Sequence, residues 1–265
     1  MSDRPGGTPL RGKRIAVTRP AGQAASLIDG LRALGAEAVD FPTIRIADPA
    51  ESGPLRRAIE RLAEYDWIVF TSANGVARFW QELRALRDTS QLPSHIAVAA
   101  IGPATAAAVE ERGARPRLVP EEYVAEAVAE ALREVQELAG RRVLLPRAAG
   151  ARRVLPDRLR AAGAEVDEVV AYESLPDMEG IASLRAALAR GELDMVTFTA
   201  ASTVRHYVDR AGADMGRASV AAIGPITADA ARAAGVRVDV VAETYTVSGL
   251  VTAICDYFAE EEVGA

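Results

Sequence analysis

The chain has 265 residues, of which 49% are hydrophobic and 26% charged, and it carries a formal net charge of −6. This composition is typical of a globular protein and excludes a wholly disordered chain, while the acidic balance argues against non-specific nucleic-acid binding. The single cysteine, Cys255, excludes a disulfide framework and a cysteine-rich metal site.

The two ends of the chain give little sign of targeting. No continuous apolar run is long enough to span a membrane, and the first residues lack the apolar segment of a signal peptide. We therefore expect a cytoplasmic protein without a membrane or nucleic-acid partner. Residues 1–11 and 260–265 are predicted to be loose tails.

Short apolar runs alternate with segments of helical periodicity along the first half of the chain. In chain order, the predicted strand and helix pairs are 14–18 and 24–34, 37–41 and 55–64, 67–71 and 75–86, 96–101 and 104–112, and 117–119 and 124–137. The second half repeats this order. Because runs such as 68–70 are continuously apolar, as in parallel strands covered on both faces, the predicted fold class is α/β with doubly wound sheets.

The sequence also repeats itself at a domain-sized spacing. Residues 12–15 recur at 140–143 and residues 31–37 recur at 159–165, both with an offset of 128. Farther along, residues 99–106 recur at 221–228 and Tyr123 corresponds to Tyr245, now with an offset of 122. This self-similarity predicts an internal duplication that forms two similar lobes with a cleft.

Sheets of this kind bind ligands at the carboxyl ends of their strands, where each strand turns into a helix. In both halves these turns contain hydroxyls, glycines and an arginine, and they place backbone N–H groups at helix N-termini, which favour anions. The same Ser, Thr and Asn residues are also preferred N-caps, so a structural role stays open. The candidate binding residues are Thr18, Arg19, Ser72, Asn74, Gly102, Thr105, Arg147, Thr199, Ser202, Gly224 and Thr227.

Tyr172 marks a position where the repeat fails, because Ile44 stands at the matching place in the first copy. A phenol is a proton donor that can assist the loss of a hydroxyl group. Tyrosine is also a common strand residue whose hydroxyl reaches solvent at a sheet edge. The residues alone leave both interpretations open.

Several familiar catalytic patterns are missing from the sequence. His95 and His206 fit neither a Ser-His-Asp arrangement nor a metal-binding pattern. The first strand is not followed by the glycine-rich dinucleotide motif, and there is no P-loop. These absences argue against a metal site, a dinucleotide enzyme and a P-loop enzyme.

Five motifs, taken in order, resemble the uroporphyrinogen-III synthase family across nearly the whole chain. They are Ile-Ala-Val-Thr-Arg-Pro at 15–20, Val-Phe-Thr-Ser-Ala-Asn-Gly-Val at 69–76, Val-Ala-Tyr-Glu at 170–173, Ala-Ile-Gly-Pro-Ile-Thr-Ala at 222–228 with its echo at 100–106, and Ala-Glu-Thr-Tyr-Thr-Val-Ser-Gly-Leu at 242–250. The resemblance implies two doubly wound, flavodoxin-like domains joined by a two-stranded connector. One domain would hold residues 1–45 and 174–265 and the other residues 46–173, so each repeat would donate its first strands to the opposite domain.

The resemblance also implies a reaction. The linear tetrapyrrole hydroxymethylbilane would lose water and close into uroporphyrinogen III with ring D inverted, through an azafulvene and a spiro intermediate. The implied enzyme is a monomeric lyase of heme biosynthesis that needs no cofactor or metal.

By the same resemblance, Tyr172 would assist departure of the hydroxyl group, and four residues would line the cleft: Ser72, Thr105, Ser202 and Thr227. The turn at Ser202 departs from the pattern of the family, which leaves the role of this serine open. A two-lobed module that binds a small anion or a tetrapyrrole without catalysis is the alternative.

Overall fold

The computed structural model describes residues 8–264, and the side chains of residues 8–261. The strands, in chain order, are β1 (Arg14–Val17), β2 (Glu37–Asp40), β3 (Ile44–Ala47), β4 (Trp67–Phe70), β5 (Ala97–Ala100), β6 (Arg142–Ala148), β7 (Glu165–Pro176), β8 (Met195–Phe198), β9 (Ser219–Ala222) and β10 (Val240–Val241). The helices are α1 (Ala25–Ala33), α2 (Gly53–Glu60), α3 (Ala73–Arg87), α4 (Pro103–Glu110), α5 (Ala125–Val135), α6 (Val154–Ala161), α7 (Met178–Ala189), α8 (Ala201–Ala211), α9 (Pro225–Ala233) and α10 (Val247–Gly264), with a 3₁₀ turn at Leu62–Glu64.

The chain forms two compact units. The first unit contains the described residues up to Arg45 and those from Leu175 onward, and the second unit is Ile46–Ser174. The chain leaves the first unit within β3 and returns to it within β7. The second unit is therefore continuous in sequence, whereas the first is assembled from two separate segments.

Each unit is built on a five-stranded sheet. The strand order is β10-β9-β8-β1-β2 in one sheet and β3-β7-β6-β4-β5 in the other. All neighbouring pairs of the first sheet are parallel, as are the β7-β6, β6-β4 and β4-β5 pairs of the second. Because helices connect these parallel strands, the predicted α/β fold class is confirmed.

The core of the second unit lies on both faces of its sheet. Along β4, Ile68 and Phe70 belong to one hydrophobic cluster, while Trp67 and Val69 belong to another. All four side chains are fully buried. A strand directs successive side chains to opposite faces, so both faces of this sheet are covered, which explains the unbroken apolar run in the sequence.

The first unit has the same arrangement. Ala16 on β1 packs in one cluster, and its neighbours Ile15 and Val17 pack in a second cluster. Among the described residues, each of the four clusters draws its members from one unit alone. Each unit thus has its own two-sided core.

Two sequence-based expectations are wrong. The predicted strand at 117–119 forms only an isolated bridge between Leu118 and Ala99. The predicted tails are also partly ordered, because Leu10 is fully buried and α10 continues to Gly264. Phe258 explains the long last helix, since its ring is buried and lies 4.4 Å from the Lys13 ammonium. Residues 1–7 and residue 265 of the predicted tails lie outside the described residues.

Candidate active site

The predicted site residues lie where parallel strands end and the following helices begin. In the second unit they are Ser72 and Asn74 after β4, Gly102 and Thr105 after β5, Arg147 on β6 and Tyr172 on β7. In the first unit they are Thr18 and Arg19 after β1, Thr199 and Ser202 after β8, and Gly224 and Thr227 after β9.

A β-bulge sets the direction of Tyr172. Arg147 pairs with Val170, but the next residue, Ala148, pairs with Tyr172, so Ala171 is an extra residue in β7. A bulge of this kind interrupts the alternation of a strand and re-aims a side chain. As a result Ala171 and Tyr172 both pack in the same core cluster, while Val170 on the other face is 37% exposed.

The phenol of Tyr172 meets the start of α3. Its oxygen lies 2.9 Å from Ser72 Oγ, and the side chain of Asn74 also hydrogen bonds to it. Ser72 is the N-cap of α3 and its Oγ accepts a hydrogen bond of 3.0 Å from the Gly75 backbone N–H. A Cβ at Gly75 would lie 3.1 Å from the carbonyl oxygen of Pro146, so glycine lets α3 begin close against β6.

The surroundings of Tyr172 favour a protonated phenol. Burial raises its pKa, while the hydrogen bonds of Ser72 and Asn74 and the positive charge of Arg147 act in the opposite direction. The phenol is therefore a proton donor at neutral pH, and the phenolate left after donation has three stabilising neighbours. This combination suits general-acid catalysis.

Arg147 is held within the second unit. Its Nη1 donates to Glu168 Oε2 at 3.0 Å, and its Nη2 donates to the carbonyl oxygen of Arg152. Burial lowers the pKa of the guanidinium more than the pairing with Glu168 raises it. Two of the Arg147 nitrogens are thus already engaged inside the protein.

The hydroxyl of Thr18 is also engaged. Thr18 is fully buried and its Oγ1 donates to the carbonyl oxygen of Thr197 at 2.7 Å. Thr43 Oγ1 in turn contacts the carbonyl oxygens of Thr18, at 3.3 Å, and Thr203, at 3.0 Å. These bonds tie the end of β1 to its neighbours and give the Thr18 hydroxyl a structural role.

Arg19 differs from Arg147, its repeat partner. The Nε of both arginines is buried without a hydrogen-bond partner, but no described residue forms an ion pair with the guanidinium of Arg19, whereas Glu168 pairs with that of Arg147. Burial alone lowers the pKa of Arg19. A half-buried cation without a counter-ion favours binding of an anion.

The same glycine and tyrosine pair occurs in each unit. A Cβ at Gly102 would lie 3.0 Å from Cγ of Tyr123, and a Cβ at Gly224 would lie 3.0 Å from Cδ1 of Tyr245. Both glycines are N-caps with an extended backbone, at φ −172° and 177°, and each is followed by a proline. The glycines are needed because a tyrosine ring packs against them. These tyrosines were not predicted as site residues, although the 122-residue offset relates them.

Thr105 and Thr227 lie in the first turns of α4 and α9. They are only 5% and 4% exposed. Within residues 8–261, neither hydroxyl has a hydrogen-bond partner, yet neither is among the fully enclosed unpartnered atoms. Each unit therefore has an unengaged threonine hydroxyl beside a helix N-terminus, the position that favours an anion.

The turn after β8 departs from its counterpart in the second unit. Ala200 takes the N-cap place that Ser72 holds, and it makes no side-chain cap. Thr199 and Ser202 are half-buried, and the hydroxyl of Thr203 donates to the carbonyl oxygen of Ala200 at 2.7 Å. The Tyr172, Ser72 and Asn74 cluster is thus not duplicated in the first unit.

The part of the chain that the structure describes contains no group of three or more His, Cys, Asp or Glu side chains able to hold a metal ion. None of its helices is both long and apolar enough to cross a membrane.

The fold and the site together define a class: an α/β protein of two similar units with anion-favouring strand ends and a buried phenol hydrogen bonded to the start of a helix. Comparison with known proteins then identifies the family. The model of the family described as uroporphyrinogen-III synthase HemD matches residues 25–252. The chain belongs to this family, which confirms the resemblance found in the sequence.

Two relatives whose names give this enzyme match over almost their whole length. The chain is 35% identical to uroporphyrinogen-III synthase of Synechococcus elongatus, covering 93% of this chain and 96% of the relative. It is 36% identical to a putative uroporphyrinogen-III synthase of Methanothermobacter thermautotrophicus, covering 93% and 99%. These relatives do not favour the alternative of a binding or sensor module.

Solved structures support the fold. A mutant uroporphyrinogen III synthase of Thermus thermophilus matches with a TM-score of 0.66 at 23% identity, covering 94% of this chain and 100% of that one. The uroporphyrinogen-III synthetase of Helicobacter pylori matches with a TM-score of 0.58 at 15% identity, covering 92% and 99%. Both matches agree with the two-sheet α/β architecture.

Proposed function

We propose that the protein cyclises hydroxymethylbilane to uroporphyrinogen III, with loss of water and inversion of ring D, as a cofactor-independent lyase of heme biosynthesis. The observation that carries this proposal is the phenol of Tyr172, protonated and hydrogen bonded to the first turn of α3, in a chain of this family. Tyr172 is the catalytic residue in this proposal.

In the first step, the carbon–oxygen bond of the hydroxymethyl group breaks as its oxygen takes the proton of Tyr172. Water leaves, a pyrrole nitrogen supplies the electron pair that gives an azafulvenium, and Tyr172 becomes a phenolate. The substituted carbon of ring D attacks this centre to form the spiro intermediate, which fragments and closes again with ring D inverted. The last rearomatising carbon loses a proton, and this proton restores the phenol.

In this proposal each unit offers its own anion-favouring groups for substrate carboxylates. The substrate carries several carboxylates, and the helix N-termini after Gly102 and Gly224 offer backbone N–H groups together with the unengaged hydroxyls of Thr105 and Thr227. Arg19 adds a cation without a counter-ion among the described residues. These groups attract the substrate carboxylates locally, although the chain as a whole carries a net negative charge.

The remaining candidates have smaller or indirect roles. Asn74 contacts Tyr172, Arg147 acts on the phenol through its charge, and Thr18 supports the end of β1. Thr199 and Ser202 are proposed to contact substrate from the turn after β8.

We also propose the following organisation. The domains are residues 1–45 with 174–265, and residues 46–173, which is supported by the change of unit within β3 and β7. The protein acts as a cytoplasmic monomer without a nucleic-acid partner, which is supported by its acidic charge and by the self-contained core of each unit.

The product isomer tests the function directly. Freshly prepared hydroxymethylbilane closes without inversion when unassisted, which yields the type I isomer. Incubation with the protein, followed by oxidation and chromatographic separation of the isomers, is expected to yield type III. A product mixture identical to that of the buffer control would refute the proposed function.

Replacing the phenol tests Tyr172. Tyr172→Phe is expected to lower kcat on the order of 10²-fold or more, the usual share of a general acid, while the circular dichroism spectrum is unchanged. Tyr65→Phe is the matched control, because Tyr65 is a buried phenol at the amino end of β4, bonded to Asp167 at 2.6 Å. The control should lose some stability but keep kcat. Equal activity of the two variants would remove Tyr172 from the mechanism.

A further inference from the structure

The hydrogen bonds of Ser72 restrict where its proton can go. A hydroxyl has one proton and two lone pairs, and one lone pair of Ser72 Oγ accepts the Gly75 N–H at 3.0 Å. The oxygen of Tyr172 lies 2.9 Å from Ser72 Oγ and can accept the Ser72 proton. If Tyr172 donated to Ser72 instead, both lone pairs of Ser72 Oγ would be occupied, and its proton would need an acceptor other than Tyr172. Donation from Ser72 to Tyr172 engages the proton and one lone pair of Ser72 Oγ within the protein and leaves the Tyr172 proton free.

Asn74 reinforces this direction. Its side chain also hydrogen bonds to the phenol, and that bond stabilises the phenolate, as a donor does. A phenol oxygen has lone pairs for accepted hydrogen bonds and one proton of its own. When Ser72 and Asn74 both donate to this oxygen, the Tyr172 proton is the one that remains uncommitted.

We infer that Ser72 and Asn74 are positioning residues that donate to the Tyr172 oxygen, so that the phenol proton is directed to the departing hydroxyl group of the substrate. This inference rests on the proposed function and deepens it. The bulge at Ala171 and the cap at Ser72 act together: the bulge turns the phenol toward α3, and the cap fixes the direction of its hydrogen bond.

Position 72 can be varied so that capping and donation are separated. Thr keeps both functions, Asp keeps the cap but presents a carboxylate that accepts and cannot donate, and Ala loses both. Ser72→Thr is expected to retain most of kcat. Ser72→Asp is expected to remain as stable as wild type and to lose kcat on the order of 10²-fold, as Tyr172→Phe does, with little change in KM. Ser72→Asp with the kcat of Ser72→Thr would overturn the inference.

An unrelated cap controls for stability. Asp177 is the N-cap of α7 and accepts from the Gly180 backbone N–H at 2.9 Å. Asp177→Ala should lower the unfolding midpoint as Ser72→Ala does, yet leave kcat and its pH dependence unchanged. An equal loss of kcat in both alanine variants would reduce Ser72 to a structural cap.

A titration tests, without the substrate, whether Ser72 donates to the Tyr172 phenolate. Ultraviolet difference titration, with Tyr172→Phe as the blank, follows the ionisation of Tyr172 alone. Loss of a donor to the phenolate should raise the pKa of Tyr172 in Ser72→Ala, and a carboxylate at position 72 should raise it further. An unchanged pKa would overturn the inference. If wild type gives only the type I isomer, the proposed function fails, whereas this titration still decides whether Ser72 donates.

Discussion

Arg19 and Arg147 show how two residues at matching positions of a repeat acquire different roles. Both follow or end the first strand of their copy, and the sequence assigns both to carboxylate binding. Arg147 is bonded to Glu168 and to a backbone carbonyl, whereas Arg19 has no counter-ion among the described residues. A buried charge is tolerated when it is paired, and it is retained at a cost in stability when it is not.

The two arginines should therefore respond oppositely to substitution by an apolar side chain. Arg19→Met is expected to raise the free energy of unfolding by about 1 kcal/mol, because it removes an unpaired desolvated cation. Arg147→Met is expected to lower it by about 2 kcal/mol, because it removes two hydrogen bonds of a charged donor. Urea unfolding followed by circular dichroism measures both.

Although Arg19→Met should be more stable than wild type, we expect it to bind the substrate more weakly. Arg19→Met is expected to raise KM for hydroxymethylbilane by about 10- to 100-fold, the usual effect of losing one charged hydrogen bond. If Arg19→Met were less stable than wild type, or if its KM were unchanged, the interpretation of Arg19 as an unpaired cation that binds substrate would be wrong.

The sequence predicted Tyr172 as a site residue, but it did not predict which residues the phenol contacts. The failed repeat at Ile44 singled out this phenol. Strict alternation along β7, however, would place Tyr172 on the same face as Val170, away from α3. The bulge reverses that face, and no local residue preference announces it. The contacts with Ser72 and Asn74 could therefore not be predicted.

At the scale of elements, the order of strands and helices follows from hydrophobic patterning, and the packing between elements does not. The continuous apolar runs were placed correctly because both faces of each sheet are covered. The strand predicted at 117–119 is not formed, because this segment makes only one isolated bridge to β5. The contact of Tyr123 with Gly102 joins residues of different elements, so only the repeat offered a signal for it.

A double-mutant cycle tests this contact. At Gly102 a Cβ would lie 3.0 Å from Cγ and 3.2 Å from Cβ of Tyr123, atoms too near the backbone to swing away. Gly102→Ala is expected to lower the free energy of unfolding by about 1–3 kcal/mol. In a Tyr123→Ala background the same change should be neutral or slightly stabilising, because φ at this position is extended.

The coupling between positions 102 and 123 should therefore be at least about 1 kcal/mol. The Gly224 and Tyr245 pair in the other unit should repeat the result. Additive effects at both pairs would show that the glycines are present for a different reason.

At the scale of the whole molecule, the duplication and the structural units do not coincide. The first copy supplies β1 and β2, which lie in one sheet with β8, β9 and β10 of the second copy through the pairing of β1 with β8. The sequence alone predicted two equivalent lobes, one from each copy, and the resemblance to the family replaced that expectation with interleaved domains. Sequence similarity between copies records their origin, whereas the unit to which a strand belongs is decided by tertiary pairing.

Separate cores predict separate unfolding. Both tryptophans, Trp67 and Trp80, are buried in the second unit, so tryptophan fluorescence reports that unit, while far-ultraviolet circular dichroism reports both. Gly180→Ala perturbs the first unit, since the new Cβ would lie 2.0 Å from the carbonyl oxygen of Pro42. Leu144→Ala perturbs the second unit, with an expected loss of about 2–5 kcal/mol from its fully buried site.

In urea, Gly180→Ala should shift only part of the circular dichroism transition and leave the fluorescence midpoint in place. Leu144→Ala should shift the fluorescence midpoint. Each described core cluster lies within one unit, so each substitution removes packing energy from the core of its own unit. If both variants moved a single coincident transition equally, the two units would unfold as one cooperative body, and the interleaved strands β3 and β7 would be the covalent path that couples them.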